Sequence, residues 1–434
     1  MTLRLFSLLM LLLQPLLRLK LARRGRQEPV YLEALEERFG DYAGEPDAHP
    51  GKPVWIHAVS LGETRAAAVL VAALRQRFPG MRLLLTHGTA TGRAEGKKLL
   101  LPGDRQTWQP WDTPAAVARF LHHFKPHIGV LMETEIWPNL ALGCEKAGVP
   151  LVLANARMSE KTQARSQRLS WLARPAYRRL RAVWAQTEDD AQRLNSLGAS
   201  VQGVLGNLKF DATPDSAQLQ QGCRWHAGVQ RPILLLASSR DGEEAALLQI
   251  LAALKPSDPL LAVQWLVVPR HPQRFDEVAI LVEQQGFAVA RRSHWPDAPP
   301  QAAASGRTTI WLGDSLGEMA LYYALADVAL LGGSFERFGG QNLIEAAACA
   351  CPLVMGPHTF NFAEAAELAL AVGAAQRADN LREALQAALA LTQDQQRLQG
   401  VRQKAKAFAS SHQGATVRLV EALVPLLEGA VAPT

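Results

Sequence analysis

The chain has 434 residues, enough for two or three domains of about 150 residues each. Its 48% hydrophobic and 20% charged residues, with 32 Gly and 26 Pro, exclude wholesale disorder and a fibrous repeat. The net charge is +6, and Arg4, Arg18, Lys20, Arg23, Arg24 and Arg26 lie in an acid-free stretch, residues 1–26. The surplus thus sits at one end rather than along a binding stripe, so no nucleic-acid partner is expected.

The first segment, 1–26, opens with the apolar run from Leu5 to Leu17, interrupted by Gln14 and Pro15. A helix needs about 20 apolar residues to span a bilayer, so a clean span is not expected. The run leads into Arg18-Leu-Lys20-Leu-Ala-Arg-Arg-Gly-Arg26 without a small-residue cleavage site, which argues against a cleaved signal. An apolar face beside an arginine-rich flank reads as an interfacial anchor held at an anionic membrane surface; a buried core helix is the alternative.

After the anchor, short apolar runs alternate with helix-length amphipathic stretches, the pattern of a parallel sheet covered by crossover helices. Strands are expected at 54–59, 82–86, 128–132, 151–154 and 182–186, and again at 233–237, 265–268, 309–312, 328–331 and 353–355. The fold class is α/β, with two Rossmann-like doubly wound lobes at 27–206 and 231–410 facing a cleft. Gly206-Asn-Leu-Lys-Phe-Asp-Ala-Thr-Pro-Asp215 lacks apolar periodicity and reads as a hinge within an interdomain linker, 207–230. A C-terminal helix, 411–434, is placed to pack back on the first lobe. Cys144, Cys223, Cys349 and Cys351 have no metal-ligand spacing, so a reducing compartment and no structural metal are expected.

His57-Ala-Val-Ser60-Leu-Gly62-Glu63 carries a strand into a helix, with Gly62 read as allowing a tight turn. At a helix N-terminus Glu63 should stay a carboxylate, able to act as a general base or simply to cap its helix. His57, a lone ring on an apolar strand, reads as a core histidine. Glu133 and Glu135 follow a strand and either orient a substrate or secure the Trp137-Pro138-Asn139 turn. Arg157, Lys161, Arg165 and Arg168 recur at helical spacing as one basic face, suited to phosphorylated lipid or simply solvated.

In the second half, Gly332-Gly-Ser-Phe-Glu-Arg-Phe-Gly339-Gly340-Gln341-Asn342-Leu-Ile-Glu345 places paired glycines at a strand end and a helix start. Backbone N–H groups there can approach a phosphate, with Asn342 and Glu345 reaching phosphate and ribose; a loop needing glycine only for its backbone is the alternative. Ser239 and Arg240 close one expected strand and Arg270 and His271 another, placing both arginines for ligand contact or as surface cations. There is no Gly-x-Gly-x-x-Gly after a strand and no P-loop, which lowers dinucleotide redox and ATPase chemistry. No Asp-x-Asp pair or His/Cys cluster suggests a metal, so leaving-group charge would fall to backbone, helix dipole and Arg or Lys.

Ser60-Leu-Gly-Glu63, Met132-Glu-Thr-Glu-Ile-Trp-Pro-Asn139, Gly206-Asn-Leu-Lys-Phe-Asp211, Ala237-Ser-Ser-Arg-Asp-Gly-Glu-Glu244, Val268-Pro-Arg-His271 and Gly340-Gln-Asn-Leu-Ile-Glu345 recur in order over nearly the whole chain. Together they resemble the Kdo transferases of lipopolysaccharide assembly. The resemblance implies an inverting GT-B glycosyltransferase, without cofactor or metal, on the cytoplasmic face of the inner membrane. It would move 3-deoxy-D-manno-octulosonic acid (Kdo) from CMP-Kdo to a lipid A precursor, lipid IVA. By the same resemblance Glu63 is the base, and Arg270, Asn342 and Glu345 hold CMP, with Gly317, Met319 and Gly339-Gly340 nearby. Ser239, Arg240, His271 and Gln341 are added to the donor set, and Gly62, Glu133, Glu135, Arg157 and Lys161 form an acceptor set. The family often carries His where this chain has Gln341, which hydrogen-bonds but offers no protonatable ring. Rival readings are a GT-B transferase using a UDP-sugar and a membrane-tethered nucleotide-binding adaptor without turnover.

Overall fold

The computed structural model describes residues 3–26, 28–47, 49, 51–295, 297–300 and 308–428. The outermost residues of the expected anchor and C-terminal helix, 1–2 and 429–434, lie outside them. The chain divides into two compact units, Met1–Asp211 with Gln413–Thr434, and Ala212–His412.

The first unit is built on a parallel sheet of β1 (Val54–His57), β2 (Leu83–His87), β3 (Arg105–Trp108), β4 (Ile128–Met132), β5 (Leu151–Ala156), β6 (Ala182–Ala185) and β7 (Val201–Val204). Their order is β3-β2-β1-β4-β5-β6-β7. The second unit repeats the plan with β8 (Ile233–Ser239), β9 (Gln264–Pro269), β10 (Ala288–Arg291), β11 (Thr309–Leu312), β12 (Val328–Leu331), β13 (Leu353–Met355) and β14 (Ala375–Arg377). Here the order is β10-β11-β9-β8-β12-β13-β14. Helices cover both faces of each sheet, and the inner strands are buried on both sides. Strand order reverses beside β1 and beside β8, so the loops leaving β1 and β4, and those leaving β8 and β12, flank the positions where open α/β sheets bind ligands.

All ten expected strands are present. The four that the apolar pattern missed, β3, β7, β10 and β14, are the four sheet edges. An edge strand has one neighbour and exposes part of each face, so it lacks the continuous apolar run of an inner strand; β7 and β10 contain no buried residue.

The boundary between the units falls within 206–215 as expected, but the stretch 207–230 is not a linker: Leu208–Asp211 forms a 3-10 turn that buries Leu208 and Phe210 in the first unit. In the second unit, Asp215 caps the helix Ser216–Ala227, which packs on the helix Met319–Leu325. A Cβ on Gly222 would lie 2.5 Å from the Leu321 carbonyl oxygen, so glycine sets how closely these two helices approach. The Gly, Pro and Asp that suggested an extended hinge instead punctuate two short helical elements. The last helix, Ala415–Leu427, lies in the first unit, where Leu419, Val420, Leu423 and Leu427 share a core with Leu70, Val71 and Leu74 of the helix Leu61–Arg77.

The N-terminal segment forms two helices, Leu3–Leu12 and Gln14–Gly25, bent by 48°. Pro15 opens the second, where its missing N–H costs no helical bond. Among the described residues no single helix is long and apolar enough to cross a membrane, and only this bent pair reaches that length and composition jointly. One face is docked: Ser7 Oγ donates to Asn139 Oδ1 at 2.8 Å, and Leu21 packs with Tyr31 and Ala90. Leu5, Leu8, Leu9, Leu11, Leu12, Leu16 and Leu19 remain exposed.

Candidate functional site: two strand-end clusters

In the first unit, Ser60 caps the helix Leu61–Arg77 and Glu63 completes a capping box. Ser60 Oγ accepts from the Glu63 amide at 3.4 Å, while Glu63 Oε2 accepts from the amides of Val59 and Ser60. The capping role expected of a first-turn glutamate is therefore filled, and Oε1 stands outside the capping box. The helix N-terminus alone does not set the charge of Glu63. Burial first, and then the negative charge of Glu133, outweigh the two amide bonds and push its carboxyl up to about 7. A carboxyl that titrates near neutrality suits a general base.

Gly62 is exposed, and a Cβ there would meet nothing nearer than Ser60 Oγ at 4.0 Å. The turn does not require glycine, which instead leaves open space beside the base. Behind the base, His57 and His87 are buried and held neutral by desolvation, at about 3 and about 4. His57 Nδ1 lies 2.9 Å from Thr86 Oγ1, but its Nε2 has no partner, so the ring is only half satisfied.

Glu133 is 8% exposed, has a left-handed backbone with φ of 59°, and its Oε1 lies 2.7 Å from Lys209 Nζ. Glu135 stays half-buried, its carboxyl raised by desolvation. The basic face is also revised. Arg157 precedes the helix Glu160–Arg168, which carries the other three bases, Lys161, Arg165 and Arg168. Lys161 is exposed on this helix, which buries none of its side chains.

In the second unit, the carboxyl ends of β8, β9 and β12 bring together Arg240, Arg270, His271, Gly340 and Gln341. The Arg270 amide donates to the Ser239 carbonyl at 3.0 Å, and Arg270 Nε donates to Gln341 Oε1 at 3.1 Å. Gly340 has φ of 75°, and its amide donates to the Gly333 carbonyl at 2.7 Å, a conformation that disfavours side chains. Arg240 stacks on Phe338, 4.5 Å from the ring centroid. Burial, with the charges of Arg240 and Arg270, holds the His271 ring below its ordinary value. The cluster is electropositive, as an anionic ligand requires.

Gly317, with φ of 81°, precedes Met319, whose sulfur lies 3.8 Å from Ser238 Oγ. Asn342 caps the helix Leu343–Ala348 through Oδ1, and Glu345 follows in its first turn. Ser239 does not join the site. It is fully buried and its hydroxyl donates to Glu244 Oε1 at 2.7 Å, because Ser238 adopts a left-handed φ of 54° and turns the next side chain inward.

Sequence reasoning passed over the groups that hold these loops in place. Buried Glu243 accepts from the amides of Arg240 at 2.9 Å, Gly333 at 2.7 Å and Phe335 at 3.2 Å, fastening the β8 and β12 loops to each other. Glu244 is paired with Arg274 at 2.8 Å. Asn361 Nδ2 donates to the Phe338 carbonyl at 2.9 Å, steadying the Gly339-Gly340 turn. Two consecutive acids at a helix start after a strand were the signal for the first pair. Asn361 had none short of the fold, while Lys209 lay in a motif, Gly206–Asp211, that read as a hinge.

Residues 33–212 match the family described as 3-deoxy-D-manno-octulosonic-acid transferase (kdotransferase). Over 95% of this chain and 96% of the relative, the sequence is 44% identical to the 3-deoxy-D-manno-octulosonic acid transferase of Bordetella pertussis. It is 31% identical to that of Haemophilus influenzae over 98% of both. Among solved structures, HepE of Anabaena in complex with UDP is similar with a TM-score of 0.55 at 15% identity, covering 87% of this chain and 100% of that one. The UDP-GlcNAc 2-epimerase of Neisseria meningitidis gives 0.57 at 13% identity, covering 86% and 100%. These likenesses show a GT-B-like fold and nothing finer. The chain belongs to the 3-deoxy-D-manno-octulosonic acid transferase family, a family of glycosyltransferases.

Proposed function

We propose that this chain transfers Kdo from CMP-Kdo to a lipid A precursor with inversion, using Glu63 as general base. The observation that carries the reading is the half-buried Glu63 carboxyl at the β1 switch point, pushed up to about 7 and so charged in a substantial fraction of molecules at neutral pH. In its charged form Glu63 takes the proton of the acceptor hydroxyl as that oxygen attacks the anomeric carbon. The bond from that carbon to the CMP phosphate oxygen breaks, and CMP leaves with the electron pair. Arg240, Arg270 and the amides of the Gly339-Gly340 turn meet the leaving phosphate's charge, while Gln341 orients Arg270. Asn342, Glu345, Met319 and Gly317 line the donor side, and Glu135, Arg157 and Lys161 serve the acceptor. The exposed leucines of the first two helices, with Arg18, Lys20, Arg23 and Arg24 beyond them, are the anchor to the cytoplasmic face of the inner membrane, where a lipid acceptor resides.

A substitution separates chemistry from binding. Glu63→Ala should abolish transfer while CMP-Kdo binding, read by calorimetry, stays near the wild-type value. Wild-type turnover in that variant would remove Glu63 as the base.

A further inference from the structure

The loop that leaves β13, Gly356-Pro-His-Thr-Phe-Asn-Phe362, has no role in the donor or acceptor sets, yet it is laid along the glycine loop of the donor cluster. The Gly356 amide donates to Ser334 Oγ at 2.8 Å, and the His358 amide donates to the Ser334 carbonyl at 3.0 Å. The Asn361 amide donates to the Gly339 carbonyl at 2.9 Å, while Asn361 Nδ2 donates to the carbonyls of Phe338 and Gly340. From the other side, Arg377 of β14 donates to Thr359 Oγ1 at 3.1 Å. The residues on either side of Phe360 are thus fixed by bonds to neighbouring elements.

Phe360 itself is 57% exposed. Its ring edge lies on Gly339, where a Cβ would come within 2.4 Å of Phe360 Cε2, so only a glycine turn lets the ring lie there. The turn's other aromatic neighbour, Phe338, is half-buried and covered by Arg240. A single apolar side chain on a surface is ordinary. This one is held at the carboxyl end of β13, next to β12 and the switch point, where open α/β sheets bind ligands.

Chemistry says which part of the donor the ring meets. With the leaving phosphate at the Gly339-Gly340 turn, the sugar is one bridging oxygen away, whereas the cytosine lies beyond the ribose on the phosphate's other side. A pyranose chair carries C–H groups on its faces, which pack on an aromatic ring, and sends its hydroxyls and carboxylate to polar partners.

We propose that Phe360 is a donor-contact residue: its ring packs against the C–H face of the sugar and so adds affinity for the sugar nucleotide but not for the nucleotide product. This rests on the reading of CMP-Kdo as donor. Once the sugar has been transferred, CMP keeps its phosphate contacts and loses the ring's share, which favours product release.

The test is calorimetry on the full chain without acceptor, titrated with CMP-Kdo and separately with CMP. Phe360→Ala should weaken CMP-Kdo binding about tenfold, as expected for about 50 Å² of apolar contact, and leave CMP binding at the wild-type value. Phe360→Tyr keeps the ring face and should bind both as the wild type does. Asn361→Ala loosens the turn and should weaken both. If Phe360→Ala weakens CMP and CMP-Kdo by the same factor, the ring only supports the turn and the proposal is overturned; wild-type affinity for CMP-Kdo overturns it as well. Should Phe360→Ala fail to fold in a thermal melt, Phe360→Leu, which keeps the bulk but not the flat face, decides by the same comparison. Wild-type protein that binds a UDP-sugar and not CMP-Kdo would instead defeat the donor reading, whatever the Phe360 variants do.

Discussion

A half-buried carboxyl raised from 4.5 to about 7 is a cost to the folded state, and Glu63→Gln should expose it. The folded chain binds the Glu63 proton more tightly than the unfolded chain. The side chain's favourable share is therefore complete below pH 4.5 and is lost as pH rises through 7. A shift of about 2.5 units corresponds to about 3 kcal/mol at pH 8 and to less than about 1 kcal/mol at pH 5. Glutamine keeps an acceptor for the Val59 and Ser60 amides but carries no charge. Urea unfolding of the full chain followed by tryptophan fluorescence should show the variant more stable at pH 8, by about 1 M in midpoint for a slope of about 3 kcal/mol/M. At pH 5 the two proteins should nearly coincide, while the same variant loses 10²- to 10⁴-fold in transfer, the usual range for a missing general base. An equal midpoint shift at both pH values, or a less stable variant at pH 8, would refute the argument that burial and Glu133 set the protonation of Glu63.

Three further outcomes follow from the geometry. Arg270→Ala removes a charged donor from the electropositive site and should weaken CMP-Kdo binding about 10- to 100-fold by calorimetry, whereas Ser239→Ala, which loses only its bonds to Glu244 and the Val268 carbonyl, should bind donor as the wild type does. Replacing Leu8, Leu12 and Leu16, which are 52, 68 and 61% exposed, with Ser should lower partitioning into anionic vesicles more than tenfold in sedimentation, at about 1 kcal/mol or more per leucine, with donor affinity unchanged. Gly222→Ala drives a methyl against the Leu321 carbonyl and should destabilise the second unit by about 1–3 kcal/mol in urea unfolding, without altering the pH dependence that Glu63 sets.

How much of this was legible in the sequence depended on where each residue sits. Inner strands such as β4 and β8 are buried on both faces and announce themselves as apolar runs. The edges β3, β7, β10 and β14 do not, since one side of each strand meets no neighbour. Ser60-Leu-Gly-Glu63 disclosed both the helix start and the carboxylate, because capping is local chemistry. The protonation of Glu63 was misjudged because it is set first by burial and then by Glu133, which follows β4, and neither is local to the motif. Ser239 was misplaced because the left-handed Ser238 breaks the alternation of side chains along β8. Lys209 lay in a motif that read as a hinge, and its partner was fixed only when β4, β5 and the 3-10 turn came together.

The account is tested most directly by incubating detergent-solubilised protein with CMP-Kdo and the tetraacylated lipid A precursor, with EDTA present, and weighing the lipid by mass spectrometry. It predicts a gain of one or more Kdo units, and no gain when a UDP-sugar replaces CMP-Kdo. An unchanged lipid mass, from folded protein that still binds CMP-Kdo, would contradict it.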